Sequence, residues 1–436
     1  MKLPPFKAIL AVLALGGLAA LATGRLRAAG AARPLVLTVW NQPPASRPDE
    51  REIWMSALRQ FEAEYSARIH RPFRVHPISR EYIQQQFVTV MAGGKGPDVV
   101  HIWVGAVPTL ARQGFLAPLD TEVAGWDLKA FIPPVLFEPA EVDGHLYGVP
   151  YDSYFQTLLI RKDLFRKAGL DPDKPPTTWQ ELRDDAVKLT RPEDNQYGLG
   201  FSPTTDQFID FLWQAGGQML QEQGGRMVPA FQENAGVEAL HFLHDLRFKD
   251  KVMQPNPLAS MDEISQLFAL GQLGMMLGVP NQMPNLISRY GMNPDDLAIA
   301  PLPAGPTGIR ASHSGGDYFI INAQSPPEKK RAAWAFIQYM LSPINQLAKY
   351  REMKSRGMPI YPGAFSVATQ LVNEPAFKMV SDNLQYVRVV PHMDHWPQIQ
   401  DVFDTQVLQR VFTQREVPIQ QVLMNAAQEI QDDDLP

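Results

Sequence analysis

The sequence predicts an α/β protein with mostly parallel sheets, and three observations predict it. Apolar, β-branched runs alternate with helix-period segments through residues 35–103. The length of 436 residues suits two or three domains. Three stretches, Gly144–Tyr154, Ser312–Asn322 and Met358–Pro362, break regular structure between apolar runs. Segments of that kind can leave one folded layer and enter another.

The elements follow in order. Leu35–Trp40 is apolar and β-branched and reads as a strand, stopped by Pro43 and Pro44. Asp49 with Glu52 has the spacing of a capping box, and the helix behind it sets Ile53, Ala57, Leu58, Phe61 and Tyr65 on one face. Phe73–Ile78 is a second strand, Tyr82–Met91 a second helix and Val99–Trp103 a third strand. Gly93-Gly94-Lys95-Gly96 is no phosphate loop, because it precedes a strand and lacks the trailing Ser or Thr. Asp143-Gly144 is a turn between short strands. An apolar strand then runs to Ile160, with a helix from about Lys162. Thr178 with Glu181 and Ser260 with Glu263 mark two more helix starts, and Trp179, Leu182, Ala186 and Leu189 share a face. Phe208–Trp213 is an apolar run, Ala235–Phe248 is helical and Gly274–Leu277 is a short buried strand. Ser325, Pro326 and Glu328 read as N-cap, first-turn proline and capping partner of a helix ending before Pro343. Ile419–Ile430 is a further helix.

Composition narrows the class. Lys2 and Lys7 precede an uninterrupted apolar run, Ala8–Ala22, which is short for a membrane span but fits a signal-peptide core. Cleavage is expected after Ala22 or Ala31, with an uncleaved anchor as the alternative that Arg25 and Arg27 leave open; the later cut removes residues 1–31. They hold four basic and no acidic residues, so their loss takes the net charge from −6 to −10. Such a charge argues against nucleic acid or anionic lipid as partners. The chain has no cysteine, which excludes disulfides, thiolate metal sites and a lipid-anchored cysteine. An exported chain without that anchor is expected in a periplasm.

Ten short motifs recur through the chain in a fixed order. They include Ala92–Val99, Gly114–Asp120, Gly144–Pro150, Lys162–Leu170 and Thr178–Leu182. Gln214–Gly217, Leu267–Gly271, Ala300–Pro303, Gly315-Gly316 and Ala333–Ile337 complete the set. In this order the chain resembles the extracellular solute-binding proteins of bacterial ABC importers, in the maltose and oligosaccharide cluster. The resemblance implies two α/β lobes joined by three crossing segments, near Asp152–Phe155, Gly316–Phe319 and Tyr361–Gly363. It implies a first lobe of 32–152 plus 318–362 and a second of 153–317 plus 363–436. It further implies a sugar or polyol ligand, membrane permease subunits as partners, a monomer, no cofactor and no catalysis.

A sugar needs aromatic faces for its C–H patches and hydrogen-bonding groups for its hydroxyls. By the family pattern, the cleft loops offer Trp40, Asn41, Trp103, Tyr151, Asp152, Tyr154 and Asp206. Trp213, Gly315, Gly316, Asp317, Tyr361 and Trp396 are the remaining candidates. Each aromatic could equally serve a core, and each aspartate could cap a helix or face solvent. Trp179, on a helix face, belongs to a core. The chain has Ile160-Arg161 where many members have Tyr-Asn, and it lacks the charged pair that maltose binders carry after Trp103, so a maltodextrin is disfavoured. No Arg or Lys cluster falls in these loops, which disfavours a phosphorylated ligand. His241 with His244, and His392, Asp394 and His395, lack the spacing of known zinc sites. The residues alone leave open a secreted glycosidase using Asp152 and Asp317, and a partner for a chemoreceptor.

Overall fold

The structure, a computed structural model, describes residues 33–41, 50–79, 83–356, 373–390 and 395–432. Strands β1 (Leu35–Trp40), β2 (Phe73–Ile78) and β3 (Val99–Trp103) alternate with helices Arg51–Ile69 and Ile83–Ala92. A hairpin, β4 (Glu141–Val142) and β5 (His145–Leu146), leads to β6 (Val149–Pro150), β7 (Tyr154–Phe155) and β8 (Thr157–Arg161). Asp143 and Gly144 in its turn both take positive φ, at 51° and 80°, which suits a two-residue hairpin loop. Later come β9 (Tyr197–Gly200), the hairpin β10 (Leu220–Gln223) and β11 (Arg226–Pro229), β12 (Leu273–Gly278) and β13 (Leu297–Pro301). The last are β14 (Ser312–Gly315), β15 (Asp317–Ile321) and β16 (Val387–Val389).

Two larger sheets result, each the base of a lobe. The first has the order β2-β1-β3-β15-β6, and the second β13-β8-β12-β9. Helix-connected neighbours pair parallel, as in β1 with β2 and β3, and β9 with β12. Strands that arrive from a crossing pair antiparallel, as β15 does with β3 and β6, and β8 with β12 and β13. The sheets are therefore mixed, where the alternation of elements predicts mostly parallel ones. A third sheet, β16-β14-β7, lies at the crossings.

Each lobe has its own apolar core. In the first, helix Arg51–Ile69 buries Trp54, Leu58, Phe61 and Tyr65, so Trp54 takes the place expected for Ile53 and Ala57. The ring of Phe61 meets Phe73 edge-on at 5.5 Å and Phe336 at 5.6 Å. The helix starts at Arg51, with Glu50 at the N-cap position and no side-chain cap; Asp49 lies outside the described residues. Helix Pro327–Met340 starts one residue later than the sequence suggests, with Pro326 at the N-cap position. The Ser325 hydroxyl donates to Asp98 instead, at 2.7 Å. Asp98 also accepts from the Thr38 N–H and from Lys329, so this buried carboxylate is satisfied on three sides.

The second core gathers β8 and β12 with helices Trp179–Leu189, Thr205–Gln214, Asn234–Phe248 and Ile419–Asp432. Thr178 and Ser260 accept from the N–H groups of Glu181 and Glu263, each at 3.2 Å, as their spacing predicts. Trp179 stacks on Phe242 at 4.4 Å and donates its indole N–H to Gln214.

The chain passes between the lobes at β6–β7–β8 and again at β14–β15. At Gly316 the two crossings touch: a Cβ there would sit 2.3 Å from the Asp152 carbonyl oxygen. The Asp317 N–H donates to Asp152 Oδ1 at 2.9 Å, and the Asp152 N–H to the Asp317 carbonyl at 3.3 Å. Helix Pro343–Ser355 packs on the first lobe and helix Pro375–Asn383 on β13 of the second. Residues 357–372 between them, including Tyr361, lie outside the described residues. No helix among the described residues is long and apolar enough to cross a membrane.

Candidate functional site

β9 and β12 run parallel and end at Gly200 and Gly278. In open α/β sheets, ligands bind beyond the carboxyl ends of such strands. A cavity of about 690 Å³ lies there, within the usual range for a small-molecule site. Its walls come from four places. Thr204, Asp206 and Gln207 open the helix after β9, and Gly278 to Gln282 follow β12. Pro397, Gln400, Asp401 and Asp404 come from the helical stretch that begins at Trp396. Tyr154, Gln156 and His313 come from the two crossings.

Two lining groups await a partner. Gln156 is 3% exposed, and its Nε2 has no hydrogen-bond partner among the described residues. The same holds for Asn281 Oδ1. A buried polar atom left unmatched is costly, and a bound ligand can match it.

The electrostatics follow from burial. His313 sits on Asp210, its Nδ1 3.0 Å from Oδ2 and its backbone N–H 2.6 Å from Oδ1. Burial alone would lower the imidazole pKa, but the Asp210 charge and hydrogen bond outweigh it and hold it raised. Asp404 is pushed up to about 6 by burial; hydrogen bonds from Thr205 oppose the shift, and Asp206 and Asp401 reinforce it. Burial raises the Tyr154 phenol well above its ordinary value, with Asp317, Asp206 and Asp152 adding, so it stays a neutral hydroxyl. Its oxygen accepts from Trp103.

The structure brings some sequence candidates together and separates others. Tyr154 and Asp206 line the cavity, and Asp206 accepts from Gln400 at 2.8 Å. Trp103 stands beside Tyr154 at the end of β3, 44% exposed, its ring over Gly105. Gly315 leaves room for the Tyr154 ring, which a Cβ would meet at 2.4 Å. Asp152, Asp317 and Gly316 form the contact between crossings described above. Asn41 ends β1 with φ 57° and donates to the His101 carbonyl at 3.3 Å, clasping β1 to β3.

Four aromatics are core residues in this structure. Trp40 is 4% exposed and faces Phe87 at 6.4 Å. Tyr151 packs between Trp54, His101 and Phe319, with its hydroxyl against Lys349. Trp213 and Trp396 lie in the second core. Trp40, Trp213 and Trp396 lie within or at the start of a regular element whose side faces a core, and Tyr151 directly follows β6 and turns into the first core. Gln156, Asn281, His313, Gln400 and Asp404 are cavity residues that the sequence reading missed. Gln156 and His313 lie inside the crossing stretches and could have been found there; Asp404 carries no local signal.

His101, Asp152 and Asp317 each bring one potential metal-ligating atom within 4.8 Å of the others. The His101 Nε2 is 3.8 Å from Asp317 Oδ2, and Asp152 Oδ1 already accepts the Asp317 N–H. Of the histidines weighed from sequence, His244 Nε2 lies 3.2 Å from the Gln414 carbonyl, whereas His392 is outside the described residues.

The profile of the bacterial extracellular solute-binding protein family matches residues 73–347. The chain belongs to this family. Among relatives of this solute-binding protein, a binding protein of Brucella abortus is 29% identical over 340 residues, covering 75% of each chain. The sn-glycerol-3-phosphate-binding periplasmic protein of Yersinia enterocolitica is 24% identical, over 80% of this chain and 83% of that one. Among solved structures, an ABC transporter solute-binding protein of Thermotoga lettingae, bound with α-D-tagatose, superposes with a TM-score of 0.74. It is 28% identical and covers 91% of this chain and 99% of its own. The solute-binding protein thus shares its two-lobed α/β architecture and its class with binding proteins, not enzymes.

Proposed function

We propose that this protein captures a sugar or sugar-like solute between its lobes and delivers it to the permease of an ABC importer. The observation that carries the reading is the cavity of about 690 Å³ at the strand ends, whose lining residues Gln156 and Asn281 each hold one buried polar atom, Nε2 and Oδ1, unmatched among the described residues. Tagatose in the Thermotoga relative supports a sugar as ligand. The cavity wall belongs to the second lobe and the crossings; Trp103 lies at the first-lobe side, paired with Asp317 at the crossing. A ligand touching both sides favours the closed state by its differential affinity. The lobes we assign are 32–152 plus 318–362 and 153–317 plus 363–436. The protein acts as a periplasmic monomer without turnover. A glycosidase reading loses ground because Asp152 is engaged in holding the crossings together.

The test is a thermal-shift screen of sugars and polyols, followed by calorimetry and mass spectrometry on the tightest binder. A saturable shift with the ligand returned intact is the expected result. Steady product release, or no binder among sugars and polyols, would refute it.

A further inference from the structure

The cavity is charged on one side. Asp404 and Asp206 face it, Asp401 stands at its mouth, and no lysine or arginine lines it among the described residues. The N-terminus of helix Thr205–Gln214 borders the same space. Its free N–H groups would ordinarily favour an anion. Here that position is taken by the protein itself: Thr205 donates both its N–H and its hydroxyl to Asp404 Oδ1, at 2.7 and 2.6 Å. An anionic solute would therefore meet an occupied helix end and three carboxylates. His313 offers no spare charge either, since Asp210 lies against it. The wall keeps its negative charge, since the side chains that bond these carboxylates, Thr205 on Asp404 and Gln400 on Asp206, are themselves neutral.

The neutral groups specify the rest of the solute. Gln156 Nε2 is a buried donor and Asn281 Oδ1 a buried acceptor, and hydroxyl groups satisfy both. Resting on the reading of this cavity as the solute site, we propose that the solute carries a protonated amine held among Asp206, Asp401 and Asp404. Its hydroxyls meet Gln156 and Asn281, so the ligand class is an amine-bearing sugar or amino-polyol. The same geometry sets this protein apart from its glycerol-phosphate-binding relatives, whose ligand is an anion.

Calorimetric titration with matched sets tests this: glucose, glucosamine and N-acetylglucosamine, and the galactose and mannose equivalents, with putrescine as an amine lacking hydroxyls. We expect at least one hexosamine to bind tenfold or more tighter than its parent sugar, and the N-acetyl form to lose that gain. In Asp404→Asn and Asp206→Asn, with folding checked by melting, the ratio should fall toward one. Equal or tighter binding of the neutral sugars would overturn the amine while leaving the sugar reading intact. Putrescine binding without any hexosamine would keep the amine-binding pocket and overturn the sugar reading. No binding by any member would overturn both.

Discussion

Replacing Asp404 by asparagine should stabilise the ligand-free protein at neutral pH and do nothing for it in acid. A carboxyl moved from 3.8 to about 6 costs about 3 kcal/mol to ionise in the folded state. Solvent reaches part of this side chain, so screening reduces that to about 1–2 kcal/mol. The asparagine oxygen can still accept both hydrogen bonds from Thr205, so little is lost in exchange. The sign follows from proton binding. Between pH 3.8 and about 6 the folded chain holds the Asp404 proton more tightly than the unfolded chain does. Wild-type stability therefore falls as pH rises through that window, and then levels. The variant escapes the fall. Calorimetric melting at pH 4, 5, 6 and 7.5 should show the smallest gain at the lowest pH and the full gain at the highest. At about 2–4 °C per kcal/mol for a unit of about 150–250 residues, the gain is measurable. A variant that melts lower at pH 7.5, or that gains as much at pH 4, would sink the argument.

Three further outcomes are expected. Trp40→Ala and Trp396→Ala should each cost about 3–5 kcal/mol in urea unfolding while leaving the affinity of the folded fraction unchanged, because both rings are core; a large affinity loss at full stability would return them to the site. Asp210→Ala, which strips His313 of its buried partner, should cost about 3–5 kcal/mol, and a neutral effect would mean the pair contributes little. Gly316→Ala should lower stability by about 1–3 kcal/mol, since its Cβ would press on the Asp152 carbonyl; an unchanged urea midpoint would show that the crossings are not in contact there.

The elements were legible where local physics decides them. The caps at Thr178 and Ser260 and the buried face of Trp179–Leu189 follow from spacing alone. Asp143-Gly144 needed only turn chemistry. The cap at Ser325 misled because a distant partner, Asp98, claims its hydroxyl, and no local pattern announces a contact across 227 positions. The site was legible in part. Tyr154 and Asp206 line the cavity because each stands where regular structure begins again after a break. Trp40, Tyr151, Trp213 and Trp396 do not, since an aromatic at an element's end serves a core or a cleft with the same sequence signature. Asp404 reaches the cavity only because its helical stretch packs beside Thr205, a tertiary fact.

The strand order of the first sheet also sets when it can form. β15 lies between β3 and β6, and its Ile320 pairs with Val100, 220 positions earlier. As synthesis proceeds from the N-terminus, β3 must wait for most of the second lobe to be made before its neighbour exists. Loop closure over that distance slows folding. The first sheet is therefore completed only once β15 is made, although β1, β2 and β3 are made within the first 103 residues. Pulse proteolysis of a chain ending at residue 300 should cut within residues 35–150, while the full chain resists. A protein bound for an export channel gains from such a delay, because its leading strands stay threadable until β15 is made.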